Sequence, residues 1–147
     1  MKLESVLATK GSRVVTTTPA MSVGDAVALL AEHNVGALVA VDWQGKPCGI
    51  VSERDIVRAM ARRADVMPLA VSDLMTTGLV CGSPDDDLEA VLQTMTSRHF
   101  RHLPVVDNGQ LVGILTIGDL VKAQLNQYRG AVDTLEVRLM ESGRFAS

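Results

Sequence analysis

At 147 residues, 47% of them hydrophobic, the chain is long enough to bury a proper core, whereas half of it standing alone would be marginal. Only four aromatic residues, a net charge of -3 and a pI near 5.5 argue against stacking platforms for single-stranded nucleic acid and against global attraction to phosphate backbones or anionic membranes, so any anion site has to be local. No apolar run approaches the roughly 18 residues that cross a bilayer, and Met1-Lys2-Leu3-Glu4 lacks the apolar stretch of a signal peptide, so a cytoplasmic protein is expected.

Leu3-Glu4-Ser5-Val6-Leu7 leads into a β-branched segment, Val14-Val15-Thr16-Thr17-Thr18, whose end at Pro19 predicts a short strand running into a turn. Ser22 is suited to cap a helix, and Val23, Ala26, Val27 and Leu30 follow at the spacing of one buried helical stripe. Ala37 to Val41 reads as an apolar strand closed by Asp42 and Gly45, with Gly49-Ile50-Val51 as its hairpin partner. Asp55-Ile56-Val57 then opens a second helix. The same order starts again with Val71-Ser72-Asp73-Leu74-Met75 ahead of Leu79-Val80. Asp87 is the expected cap of a helix carrying Leu88, Val91, Leu92 and Met95. Leu103 to Val106 closes at Asp107 and Gly109, Leu111 to Leu115 is its partner, and Asp119-Leu120-Val121 opens the last helix.

This recurrence is a duplication. A shift of 65 residues superposes Pro19 on Pro84, Leu38 on Leu103, Val41 on Val106 and Asp42 on Asp107; the shift drops to 64 after the hairpin loop, because Trp43 to Cys48 is one residue longer than Asn108 to Val112. The expected organisation is a first strand-helix-strand-strand-helix repeat with its lead-in at 1–68, a second at 69–125, and a C-terminal helix and tail at 126–147. The repeats are expected to share a core in a mixed α/β (α+β) fold. Past the second repeat, Val121, Leu125, Tyr128, Val132, Leu135 and Leu139 alternate in steps of four and three, a short coiled-coil-like stripe that Gly130 weakens. Such a stripe predicts packing against a partner subunit; packing on its own module is the alternative. Cys48 and Cys81 have no metal-ligand spacing around them and read as two small buried hydrophobes.

The turn from strand to helix is repeated too: Gly49-Ile50-Val51-Ser52-Glu53-Arg54-Asp55 returns as Gly113-Ile114-Leu115-Thr116-Ile117-Gly118-Asp119. Both fit the pattern glycine, apolar, any, serine or threonine, two of any kind, aspartate. With the duplication and the element order, this resembles the CBS domain family, regulatory modules named after cystathionine β-synthase, over about Leu3 to Leu125. The chain is similar to a stand-alone CBS pair, with no catalytic barrel or pyridoxal-phosphate domain attached.

The resemblance implies an adenine-nucleotide ligand (AMP, ADP, ATP or NAD(H)) in clefts between the repeats, a homodimer, a regulated partner protein that the sequence does not identify, and neither catalysis nor a required cofactor or metal. The residue chemistry is compatible. An ionised carboxylate only accepts hydrogen bonds, so Asp55 and Asp119 suit the vicinal hydroxyls of a ribose. Ser52 and Thr116 can donate a hydroxyl to a phosphate oxygen, helix-start amides attract the same anion, and Gly49 and Gly113 would allow close backbone approach. Ser52-x-x-Asp55 and Thr116-x-x-Asp119 are equally acceptable helix-capping sequences, and capping and binding are not exclusive. Gly36-Ala37 is replaced in the second copy by Arg101-His102, which with Arg54 are the phosphate candidates. Arg98 and His99 are expected at an exposed helix end. By resemblance the base would sit near Thr16, Thr17, Val80 and Cys81, and Cys81 there raises a redox-sensor idea that no neighbouring feature supports. His33, His99 and His102 with nearby aspartates leave nucleotide hydrolysis as another class of function, without a nucleophile or metal constellation. A dimeric interaction scaffold with empty clefts is a third reading, and a nucleic-acid or membrane role is the least expected.

Overall fold

A computed structural model describes residues 1–11 and 13–141. The first part contains α1 (Leu3–Lys10), β1 (Thr16–Thr17), α2 (Val23–His33), β2 (Ala37–Val41), β3 (Pro47–Ser52) and α3 (Glu53–Arg62). The second contains α4 (Val71–Leu74), α5 (Leu88–Arg98), β4 (His102–Asp107), β5 (Gln110–Thr116) and α6 (Ile117–Glu141). In one sheet β1 runs parallel to β2, with Thr16 opposite Val39, and β2 runs antiparallel to β3. In the other, β4 and β5 form the antiparallel pair and a single parallel bridge from Gly82 to Val105 stands where the first strand of the repeat was expected. The duplication reaches into irregularities: the ladder slips between Ala40 and Val41 and again between their equivalents, Val105 and Val106.

The expected caps form, with Ser22 Oγ accepting from the Asp25 amide at 3.1 Å and Asp87 Oδ2 from the Ala90 amide at 3.1 Å. Both helices end on a residue in the left-handed region, Asn34 at φ 51° and His99 at φ 59°. Arg98 is therefore a last-turn cation and His99 the C-cap, the structural roles expected of them.

The lead-ins do not pack on the repeats they precede. Leu3, Val6 and Leu7 of α1 are buried with Leu88, Met95, Leu103, Leu115 and Leu120 of the second repeat, whereas Val71, Leu74 and Met75 join Val23, Leu38, Val51 and Ile56 of the first. The backbone follows the same exchange. Leu3 and Glu4 amides donate to Asp86 and Pro84 carbonyls, and Val71 and Ser72 amides donate to their equivalents, Met21 and Pro19. The shared core thus takes the form of two apolar clusters, each completed by a segment from the other repeat.

This exchange also changes the part played by the motif glycines. A side chain at Gly113 would run into Leu7 Cδ2, and one at Gly49 into Met75 Sδ, so the close approach expected of a ligand is made by the two lead-ins. The cysteines are another correction: Cys81 is exposed, because the expected first strand of the second repeat is reduced to a single bridge at Gly82, and Cys48, on β3, is only half-buried.

The last helix of the second repeat and the segment from 126 are one unbroken rod, α6, so the expected boundary at 125 falls inside a helix. Gly130 sits within it and its carbonyl accepts from Thr134 Oγ1 at 2.8 Å; the roughly 1 kcal/mol propensity penalty of one glycine is not enough to interrupt 25 residues. Leu125, Tyr128, Val132 and Leu135 remain about half exposed, so the stripe is not buried on its own module. Residues 142–147 lie outside the described residues.

Gly113→Ala separates these effects. Alanine in a strand should gain about 0.4–1 kcal/mol by restricting the unfolded chain, but overpacking against Leu7 costs about 1–3 kcal/mol. Net destabilisation is expected in urea unfolding, and the added truncation Leu7→Ala should reduce the penalty of the glycine substitution by making room.

Candidate functional site

The two motif turns have the same geometry. β3 ends at Ser52 opposite Ala37, β5 ends at Thr116 opposite His102, and a helix begins at the next residue in each case. The Asp55 amide donates to Ser52 Oγ at 3.2 Å while Asp55 Oδ2 accepts from the Ser52 amide at 2.9 Å. The Asp119 amide donates to Thr116 Oγ1 at 3.0 Å and Asp119 Oδ2 accepts from the Thr116 amide at 2.8 Å. Both turns are therefore full capping boxes. Each box uses only Oδ2, so Oδ1 of Asp55 and of Asp119 has no hydrogen-bond partner among the described residues. The Ser52 and Thr116 hydroxyl protons are likewise uncommitted. Of the helix-start amides, Glu53 donates to the Gly36 carbonyl and Ile117 to the Arg101 carbonyl, both at 3.0 Å, which leaves those of Arg54 and Gly118 for an incoming anion.

The copies differ in what surrounds the carboxylate. Lys10, the last residue of α1, places Nζ 2.5 Å from Asp119 Oδ2 and donates to the Ile114 carbonyl at 2.8 Å. Among the described residues, nothing equivalent reaches Asp55. Burial alone would push the Asp119 carboxyl up, but the hydrogen bond from the Lys10 ammonium, followed by that from the Thr116 amide, outweighs it and holds the group below its ordinary range.

Arg101, His102, Thr116, Ile117 and Gly118 line a recess of about 350 Å³ beside this box, within the range of about 300–1,000 Å³ common for small-molecule sites. His102 also faces the first repeat: a methyl group placed on Gly36 would stand 3.6 Å from His102 Nε2 and 3.4 Å from Glu53 Oε1. Burial first, then the charges of Lys10 and Arg101, hold its imidazole below the ordinary value, against the opposing influence of Glu53 and Asp55. Ser52, Asp55, Thr116, Asp119, Arg101 and His102 are thus at helix starts and strand ends of the predicted kind, and Arg54 is exposed on the first turn of α3.

The residues expected near a base are placed differently. Thr17 is buried and its hydroxyl is directed to Met21 Sδ at 3.1 Å, while Thr16 is exposed. Val80 and Cys81 line an apolar recess with Val91, Met95, Phe100 and Leu103, which shares no lining residue with the recess at Arg101 and His102. Desolvation pushes the Cys81 thiol up, the opposite of what a reactive thiolate needs. Lys10 and Glu53 escaped the sequence reading. Lys10 has no counterpart in the duplication, since the position at the same distance after the second lead-in is Gly78, and only the exchange of lead-ins brings it to Asp119.

Comparison with known proteins identifies the family and the fold. The family description "CBS domain" matches residues 6–62 and 71–126. The CBS domain-containing protein YhcV of Bacillus subtilis is 36% identical over 124 residues, covering 84% of this chain and 88% of that protein. The crystal structure of the CBS-domain containing protein ATU1752 from Agrobacterium tumefaciens is 38% identical with a TM-score of 0.80, covering 84% of this chain and 99% of that one. The CBS domain protein PAE2072 from Pyrobaculum aerophilum, solved in complex with AMP, is 27% identical with a TM-score of 0.73, covering 81% and 89% respectively.

The two shifted groups set the response to acid. His102 has a folded pKa below its unfolded value near 6.5, so the unfolded chain takes up a proton first and stability falls as pH drops from that value toward the folded one. Asp119 is also depressed, so its contribution is present above the unfolded value, about 3.9, and is lost as pH falls through the folded one. Unfolding temperatures followed from about pH 8 to about pH 3 should fall in two windows. His102→Asn should remove the upper window, and Asp119→Asn should weaken the lower.

Proposed function

Because the chain belongs to the CBS domain family, we propose that it is a regulatory module that binds an adenine nucleotide, AMP, ADP, ATP or NAD(H), in crevices at its two capping boxes and catalyses no step of its own. The observation that carries the reading is the duplicated carboxylate, which is fixed by its Oδ2 at a helix start while its Oδ1 is left to accept from a ribose. The AMP complex of PAE2072 supports the ligand class. In this reading Asp55 and Asp119 hold ribose, and Ser52, Thr116, Arg54, Arg101 and His102 take the phosphate. The base would lie toward Thr16, Thr17, Val80 and Cys81. A nucleotide drawn from the cytoplasmic pool sets the proposed compartment.

Thermal unfolding against AMP, ADP, ATP, NADH and S-adenosylmethionine tests the reading, because a ligand at 100 times its dissociation constant stabilises by about 2.7 kcal/mol. Asp119→Ala and Asp55→Ala also remove the carboxylate half of a capping box, so each ligand shift is referred to the same variant without ligand. Loss of part of the shift in each variant is the expected result; titrations unchanged from the parent would remove the carboxylates from the site. Unaltered ATP after prolonged incubation separates this reading from a hydrolase.

We also propose a homodimer through α6, supported by the half-exposed Leu125, Tyr128, Val132 and Leu135 along one stripe. Light scattering should give a dimer mass, and the double substitution Val132→Lys with Leu135→Lys should reduce it to a monomer without changing the helix content of the repeats. A parent chain that is already monomeric at micromolar concentration would refute the dimer.

A further inference from the structure

The reading of Asp119 as a ribose ligand meets an obstacle that Asp55 does not. A carboxylate oxygen has two lone pairs. Asp119 Oδ2 already accepts from the Thr116 amide and from Lys10 Nζ, so both are taken, whereas Asp55 Oδ2 accepts, among the described residues, only from the Ser52 amide. A vicinal diol can grip Asp55 with one hydroxyl on each oxygen at once. At Asp119 the same grip requires Lys10 to move off.

Moving it has a cost that depends on the ligand. The ammonium side chain is about one-third exposed, and its charge reaches His102 together with that of Arg101, against the opposing charges of Glu53 and Asp55. α1 cannot carry it away, because Leu3, Val6 and Leu7 are buried in the second repeat. Displaced by a neutral nucleoside, Lys10 would lose its counter-ion. Displaced by a nucleoside phosphate, it exchanges one anion for another: Lys10 and Asp119 line one recess, and Arg101, His102 and Gly118 line the next one, across the Thr116 turn to which Asp119 is bonded.

We propose that Lys10 is a tethered counter-ion that restricts the second-repeat crevice to phosphorylated adenosine ligands, while the Asp55 crevice, lacking such a cation, admits neutral ones. The inference rests on the nucleotide-binding reading above, and the experiment keeps the two apart by observing each crevice separately. AMP and adenosine are titrated into the full chain and followed on the amide resonances of Ile117, Gly118 and Asp119 for one crevice and of Glu53, Arg54 and Asp55 for the other. At the second crevice AMP should bind at least about tenfold more tightly than adenosine, about 1.4 kcal/mol. Lys10→Met should narrow that ratio to about threefold or less, chiefly by admitting adenosine, and Lys10→Arg should retain the discrimination. Lys10 lies at a helix end outside the core, and the Lys10→Arg protein serves if Lys10→Met misfolds: loss of discrimination with the charge retained would count against the proposal. A Lys10→Met protein with the parent ratio would overturn it. Shifts confined to the Asp55 crevice would overturn it while leaving nucleotide binding standing, and no shift at either crevice would overturn both.

Discussion

Each repeat borrows the helical segment that precedes the other, and the rest of the architecture follows from that trade. A sheet of two or three short strands with two helices has an uncovered apolar face, and a half of this size buries too little to stand alone. Leu3, Val6 and Leu7 cover the second sheet, and Val71, Leu74 and Met75 cover the first. Gly113 and Gly49 are the positions where that cover comes closest to a strand. The link between repeats is therefore covalent in sequence and apolar in space, and the two motif turns are held in fixed relation to each other.

The same trade breaks the symmetry of the duplication. Two capping boxes with nearly identical hydrogen bonds are produced by two nearly identical sequences, but α1 is two turns long and ends in Lys10 whereas α4 is a single turn. Among the described residues, one carboxylate is consequently ion-paired and the other is not. Arg101 and His102, which replace Gly36-Ala37 in the second copy, line a recess beside the box that holds that pair, and His102 and Glu53 meet over Gly36 of the first copy. A pair of turns that began as copies now differs in charge without any change in the motif itself, which is the basis of the proposed difference in ligand preference.

Much of this was legible in the residues and some was not, for a consistent reason. The Ser22 and Asp87 caps and the capping boxes are local, set by side chains three residues from the groups they bond, and they appear as read, as do the repeat and both hairpins, which rest on pattern along the chain. The partner of Leu7 or Lys10 is more than 100 residues away, and no pattern within either lead-in states which repeat it will cover. Gly49 and Gly113 illustrate the difference: their smallness was evident, but what it makes room for depends on that distant choice. Cys81 was misplaced because a strand was expected where only one bridge forms. Gly130 was read as a weak point, and the sum of neighbouring helix formers prevailed over it.

Asp119 is the third residue of α6, and the unbroken 25 residues of that helix extend about 37 Å at 1.5 Å per residue. A rod anchored at one end converts angle into distance. If exchange of an ion at Asp119 tilts the first turn by about 10°, the far end sweeps roughly 6 Å, enough to bring surfaces into or out of register. The absence of a break after Leu125 thus makes the carboxylate and the remote tip two ends of a single mechanical arm.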